Sequence, residues 1–146
     1  MITEKNRKRG AAVHGIKQPG EYAAVFLTGF FLYAFLEIAG RGRTHWSMGI
    51  LGGAALCLLY RMEHSLQEPL LIRALLGAMF VTAAEFTAGV IDNLIMGWKV
   101  WDYSDQPFNL LGQICPLFSC IWVLLCCFGC RIAARIYRQY HPAEDG

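Results

Sequence analysis

The chain has 146 residues, of which 55% are hydrophobic and only 16% charged, whereas roughly a quarter are charged in an ordinary soluble domain. So short a chain has too much surface to hide that many apolar side chains from water, which argues against a soluble globule and makes lipid the better solvent. The net charge of +2 is small and the basic residues do not alternate with aromatics in a stripe, so a nucleic-acid surface is not expected.

Length fits one compact unit. Residues 1–18 carry Lys5, Arg7, Lys8, Arg9 and Lys17 without any apolar period and read as a basic cytoplasmic tail. A charged start before an apolar run also suits a signal peptide. However, Gly40-Arg41-Gly42-Arg43 follows in place of a small-x-small cleavage site, so residues 22–39 should remain as the first membrane span. The second span, 46–60, is short at about 22 Å of helix, against roughly 30 Å of hydrocarbon. Its Gly49 and Gly53, four apart, offer a neighbouring helix a close approach. The third span, 70–96, begins after Pro69, and the fourth, 114–136, has Pro116 near its start, where a missing N–H costs little. Residues 139–146 form a second tail.

Basic residues set the orientation. With the N-terminus inside, ten fall on the cytoplasmic side and three (Arg41, Arg43, Lys99) outside. The expected fold is therefore an all-α integral membrane protein, a four-helix transmembrane bundle with both termini cytoplasmic. Tyr22, Trp46, Trp98, Trp101 and Tyr103 then lie near span ends, where interfacial aromatics belong.

Chemistry concentrates in the third span and the loop after it. Glu85 falls near mid-span, where a carboxylate costs about 2.5–3.5 kcal/mol on insertion scales. Thr82, Gly89, Asp92 and Asn93 share its helical face and make one polar stripe. Such a stripe faces a bundle interior or a wet cavity. It serves either as a proton, cation or substrate site or as a hydrogen-bond cluster that fixes packing. The loop Trp101-Asp102-Tyr103-Ser104-Asp105-Gln106-Pro107 is polar and aromatic and belongs at a water–lipid boundary. Asn109 and Gln113 are four apart. If residues 108–113 start the fourth helix, both amides point towards Asp92 and Asn93. Ser104, Asp105 and Asn109 also suit backbone capping, and Asp102 fits either role.

Glu37 and Arg41, four apart, read as an interfacial salt bridge rather than a site. The cysteines Cys57, Cys115, Cys120, Cys126, Cys127 and Cys130 lie in or beside apolar runs and read as packing residues. His45 and His64 are expected in opposite loops and His14 and His141 in the tails, so no metal-ligand set and no cofactor is expected. Gly10-x-x-x-x-Gly15 continues with Ile16-Lys17 and fails the phosphate-loop pattern, and neither a Gly-x-Ser-x-Gly nor a His-Glu-x-x-His motif is present.

Glu85-x-x-x-Gly89, Trp101-Asp102-Tyr103-Ser104, Pro107-x-Asn109-x-x-Gly112-x-Ile114-Cys115 and Trp122, in this order and spacing, resemble the bacterial membrane proteins grouped as ABC-transporter type IV, the CmpB-like family. The chain departs from the pattern at Pro116, where a leucine is expected. The resemblance implies a multi-pass protein of the bacterial cytoplasmic membrane and a permease-like part of a transport system. It also implies a shared site at Glu85, Trp101, Asp102, Tyr103, Asn109, Gly112 and Gln113.

The leading expectation is a transport-associated, non-enzymatic membrane protein. Its polar site is Glu85, Asp92 and Asn93, closed by the Trp101–Ser104 loop. It would work as a homo- or hetero-oligomer, with a separate ATPase subunit docked on residues 61–73. One alternative is a non-catalytic assembly or regulatory subunit. Another is an intramembrane enzyme using Glu85 and Asp102 as acid and base on a lipid-like substrate.

Overall fold

The computed structural model describes residues 19–142; the basic tail and the last four residues lie outside the described part. The described residues form four helices: α1 (Pro19–Arg41), α2 (Trp46–Ser65), α3 (Leu70–Gly89) and α4 (Pro116–Tyr140). A π-helical turn, Val90–Ile95, prolongs α3. By length and composition, three helical stretches can cross a membrane: residues 20–41, 70–95 and 116–140. Phe31, Phe35, Met79 and Phe128 are among the large apolar side chains these helices leave exposed, a distribution suited to an acyl solvent rather than to water.

The helix that fails this test, α2, is the most enclosed. It packs against α1, α3 and α4, and ten of its residues from Met48 to Met62 are buried. A helix surrounded by protein needs small side chains on its contact faces, which lowers its hydropathy without weakening its packing. Gly49 and Gly53 receive the rings of Phe30 and Phe26 from α1, and Gly29 of α1 sits against Gly52. The expected glycine pair therefore does admit a neighbour. The helix also runs five residues past its expected end, so Arg61, Glu63 and His64 are helical rather than in a loop. His45 caps its start, its ring nitrogen accepting from Ser47 N at 3.4 Å.

The remaining boundaries shift modestly. Helix α1 gains residues at both ends of 22–39. Helix α4 starts at Pro116, not residue 114, and continues to Tyr140, taking in two residues expected in the tail. Its buried side carries Trp122, Cys126, Cys130 and Ala133, and the six cysteines are free thiols.

A polar cluster fastens the bundle at the end where α1 begins and α4 finishes. Tyr60 donates to the buried Glu21 carboxylate, and His141 Nε2 lies 3.2 Å from Glu21 Oε1. Arg73 and Glu63 form an ion pair across the α2–α3 turn.

Residues 108–113 are not helical. Phe108, Leu111 and Gly112 have φ of 57°, 53° and 70°, a left-handed region that stops helix propagation. Asn109 holds this shape. Its Nδ2 donates to the carbonyls of Ser104 (3.1 Å) and Gln106 (2.8 Å), and its Oδ1 accepts from Gly112 N at 2.9 Å. Side-chain bonds of this kind compete with helix formation, and here they win.

Candidate functional site

Glu85 is 1% exposed and lies on the face of α3 that meets α4 and the loop. Trp122 Nε1 of α4 donates to its Oε2 at 2.8 Å, and Tyr103 Oη of the loop donates to its Oε1 at 3.1 Å. The carboxyl is thus held by one donor from each of two other elements. A buried polar group in this setting is tolerable only when so bonded. One turn before it, Thr82 Oγ1 donates to Ser119 Oγ of α4 at 3.3 Å.

A cavity of about 280 Å³ opens beside this carboxyl, between α1 and α4 and under the loop. Its polar lining is Glu37 and Arg41 of α1 with Glu85 and Tyr103. Glu37 is 7% exposed, ion-paired with Arg41, and accepts from Thr44 Oγ1 at 2.6 Å. Arg41 Nη1 also donates to the Val100 carbonyl at 3.4 Å, which ties α1 to the loop. Tyr33 stacks on Trp122 with centroids 5.3 Å apart, and Tyr103 stacks on Phe118 at 4.4 Å. All four rings line the cavity.

Glu37 and Arg41 form the expected salt bridge, but they also line the site, which a purely interfacial pair would not. The signal lay in their spacing. Tyr33, Glu37 and Arg41 recur every four residues and so share one face of α1.

The other expected site residues fall elsewhere. Asp92, in the π-helical turn, accepts from Ser47 Oγ at 2.5 Å and so joins α3 to the start of α2. Asn93 Nδ2 donates to Gln113 Oε1 at 2.8 Å, and its Oδ1 accepts from Val100 N at 2.6 Å. Trp101 Nε1 donates to the Gln113 carbonyl at 2.9 Å, and Gln113 Nε2 to the Leu111 carbonyl at 2.7 Å. Together these groups tie the end of α3 to the start of α2 through Asp92 and to the loop through Asn93, while the bonds of Trp101 and Gln113 Nε2 fold the loop on itself. The extra residue per turn in a π-helix re-aims side chains, and such turns recur at functional sites. Here the turn lets Asp92 and Asn93 reach different partners.

Asn109 does not reach Asp92 or Asn93; its bonds are all within the loop. Asp102 is exposed, and its Oδ1 accepts from Ser104 N at 2.8 Å. The Ser104 hydroxyl, followed by its amide, holds the Asp102 carboxyl below the usual carboxylate range. Asp102 is not among the residues that line the cavity, so Glu85 and Asp102 do not share it as an acid–base pair. The structure thus divides the expected constellation into Glu85 and Tyr103 at a cavity and Asp92, Asn93, Trp101 and Gln113 in a docking network, with Asp102 and Asn109 shaping the loop.

Replacing Gln113 with Leu is expected to release the loop. Asn93 Nδ2 would lose its acceptor, a loss of about 1–3 kcal/mol for a buried polar group left unpaired. Limited proteolysis in detergent should then cut between residues 97 and 115 faster than in the wild type; unchanged cleavage would show that the docking network is dispensable.

A second groove, about 620 Å³, runs between α3 and α4 and is lined by Leu75, Met79, Phe86, Pro116 and Val123 among others. It offers no charged group. Among the described residues, no three His, Cys, Asp or Glu are placed to hold a metal ion.

No curated protein and no solved structure matches the chain. A family model described as "Putative ABC-transporter type IV" matches residues 44–143, which takes in Glu85, the loop and Trp122. With its apolar helices and its buried glutamate framed by that loop, this membrane protein belongs to the ABC-transporter type IV, CmpB-like family.

Proposed function

We propose that this chain is a permease-like membrane component of an ABC-type transport system. It spans a bacterial cytoplasmic membrane four times, with both termini in the cytoplasm, and binds its substrate in the cavity beside Glu85. The observation that carries this reading is a buried carboxyl held by Trp122 and Tyr103 on the wall of a cavity that also contains a second carboxyl and a guanidinium. Ionisable groups in membrane segments are costly and usually mark pathways or binding sites. The distribution of Arg and Lys supports the orientation. With that orientation the cavity lies towards the outer end of the bundle.

The sequence contains no phosphate-binding loop, so nucleotide hydrolysis belongs to a separate subunit rather than to this chain. The turn between α2 and α3 and the arginines Arg131, Arg135 and Arg138 near the end of α4 lie on the side where such a subunit would dock. Four helices barely enclose a pathway, so the working unit is a homo- or hetero-oligomer.

The test is capture of the full-length chain from its native membrane, followed by ATPase assay of what co-purifies. A nucleotide-hydrolysing subunit should accompany both the wild type and Glu85→Gln, with equal yield. Its activity should respond to Glu85→Gln. Absence of any such subunit would overturn the permease reading. The docking network of Asp92, Asn93, Trp101 and Gln113 favours a second reading, a non-catalytic assembly or regulatory subunit. ATPase activity indifferent to Glu85→Gln would support that reading instead.

A further inference from the structure

The cavity carries more information than its carboxyl alone. Its two acidic groups are treated differently. Glu37 has a cationic partner in Arg41 and a hydroxyl donor in Thr44. Glu85 has only the uncharged donors Tyr103 and Trp122, and among the described residues no cationic side chain forms an ion pair with it. Two carboxylates and one guanidinium therefore face the same space. In a low-dielectric medium the remaining negative charge calls for a positive one or a proton.

The walls select which positive charge is best accommodated. Two stacked ring pairs, Tyr33 with Trp122 and Tyr103 with Phe118, line the cavity. Aromatic faces attract ammonium groups, and aromatic enclosures are the usual means of recognising quaternary ammonium ligands. A small, strongly hydrated metal cation would instead want several free oxygen ligands, whereas the carboxylate oxygens of Glu37 are engaged by Arg41 and Thr44 and those of Glu85 by Tyr103 and Trp122. The volume, about 280 Å³, lies just under the range of roughly 300–1,000 Å³ common for small-molecule pockets, and suits a compact head group. On the side between α1 and α4 the lining changes to Leu36 and Ile121, which are 40% and 38% exposed at the bundle surface. An apolar margin of this kind lets an alkyl chain leave the cavity sideways into the acyl layer.

We propose that the cavity binds the ammonium head of a cationic amphiphile, with Glu85 as its counter-charge and its alkyl chain leaving between α1 and α4. This deepens the permease reading and rests on its assignment of the cavity as the binding site.

The test uses the purified full-length chain in maltoside detergent, titrated calorimetrically with octyltrimethylammonium, octyl sulfate and octanol. These probes share a chain and differ in head-group charge. Octyltrimethylammonium should bind at least tenfold tighter than the other two, and Glu85→Gln should weaken it at least tenfold while leaving octanol unchanged. Equal affinity for all three, or a folded Glu85→Gln variant that keeps full cation affinity, would overturn the proposal. Should Glu85→Gln not fold, Phe118→Leu takes its place. A fivefold or greater loss of cation affinity there supports the proposal, and none overturns it. Because these titrations need no partner, they fail separately from the ATPase experiment. Cation binding without a nucleotide-hydrolysing subunit would keep the site and discard the permease role; Glu85-dependent ATPase without cation preference would do the reverse.

Discussion

Glu85→Gln is expected to leave the protein folded while removing coupling, whereas Glu85→Leu is expected to lose about 2–6 kcal/mol of stability, since each of the two buried donors left unpaired costs roughly 1–3 kcal/mol. The difference follows from the hydrogen bonds. A glutamine can accept from Trp122 with its carbonyl oxygen and donate from its amide to Tyr103, whose hydroxyl can turn to accept. Both contacts of the carboxyl, at 2.8 and 3.1 Å, then persist without the charge. A leucine of similar volume satisfies neither donor. Thermal unfolding in detergent, monitored through tryptophan fluorescence, separates the two variants. If Glu85→Gln loses as much stability as Glu85→Leu, the carboxylate is a packing element and the binding role falls.

The second large effect is expected at Gly52. An alanine Cβ there would lie 2.3 Å from Tyr33 Cβ and 2.8 Å from the Gly29 carbonyl oxygen. The second of these is backbone, so α1 itself must move. Overpacking of this kind costs about 1–3 kcal/mol, and the loss should lower the thermal midpoint. The movement also carries Tyr33 away from its stack on Trp122, so cation binding should weaken along with stability. Gly20→Ala is the control, because a Cβ at that helical position meets nothing within 4 Å and the residue does not line the cavity. It should be neutral or gain up to about 1 kcal/mol, the usual advantage of alanine over glycine in a helix. Equal behaviour of the two variants would mean that the α1–α2 contact is looser than its glycines indicate.

Much of the architecture is legible from hydropathy and from a few residues. The apolar runs mark the three long helices to within a few residues because, in lipid, the backbone must satisfy itself and helices do so segment by segment. The Gly49 and Gly53 pair marks the close α1–α2 approach. The shape of residues 108–113 is less legible. The spacing of Asn109 and Gln113 suits a helix, and only the three-dimensional path reveals that Asn109 closes on Ser104, Gln106 and Gly112 instead. Left-handed backbone at Phe108 and Leu111, neither of them glycine, carries little local signal.

The polar stripe Thr82, Glu85, Gly89, Asp92 and Asn93 tells a similar story. Its common helical face is a property of spacing, and all five positions do turn towards protein partners. Spacing assumes one helical period, though, and the π-helical turn at Val90–Ile95 changes that period just where Asp92 and Asn93 diverge from Glu85.

What the amino-acid order determines by itself is the solvent: 55% hydrophobic residues in so short a chain, arranged in long runs, place the helices in lipid, and a single mid-span glutamate then has to face inward. Which groups meet that glutamate was decided by tertiary structure alone. Tyr33, Glu37 and Arg41 belong to a helix more than forty residues away in the chain, and Trp122 to another. They converge on one cavity because glycines let α1 settle against α2 while the docked loop reaches across the gap to α4. Such contacts between distant segments depend on how helices seat against one another, and no local pattern in the chain encodes that.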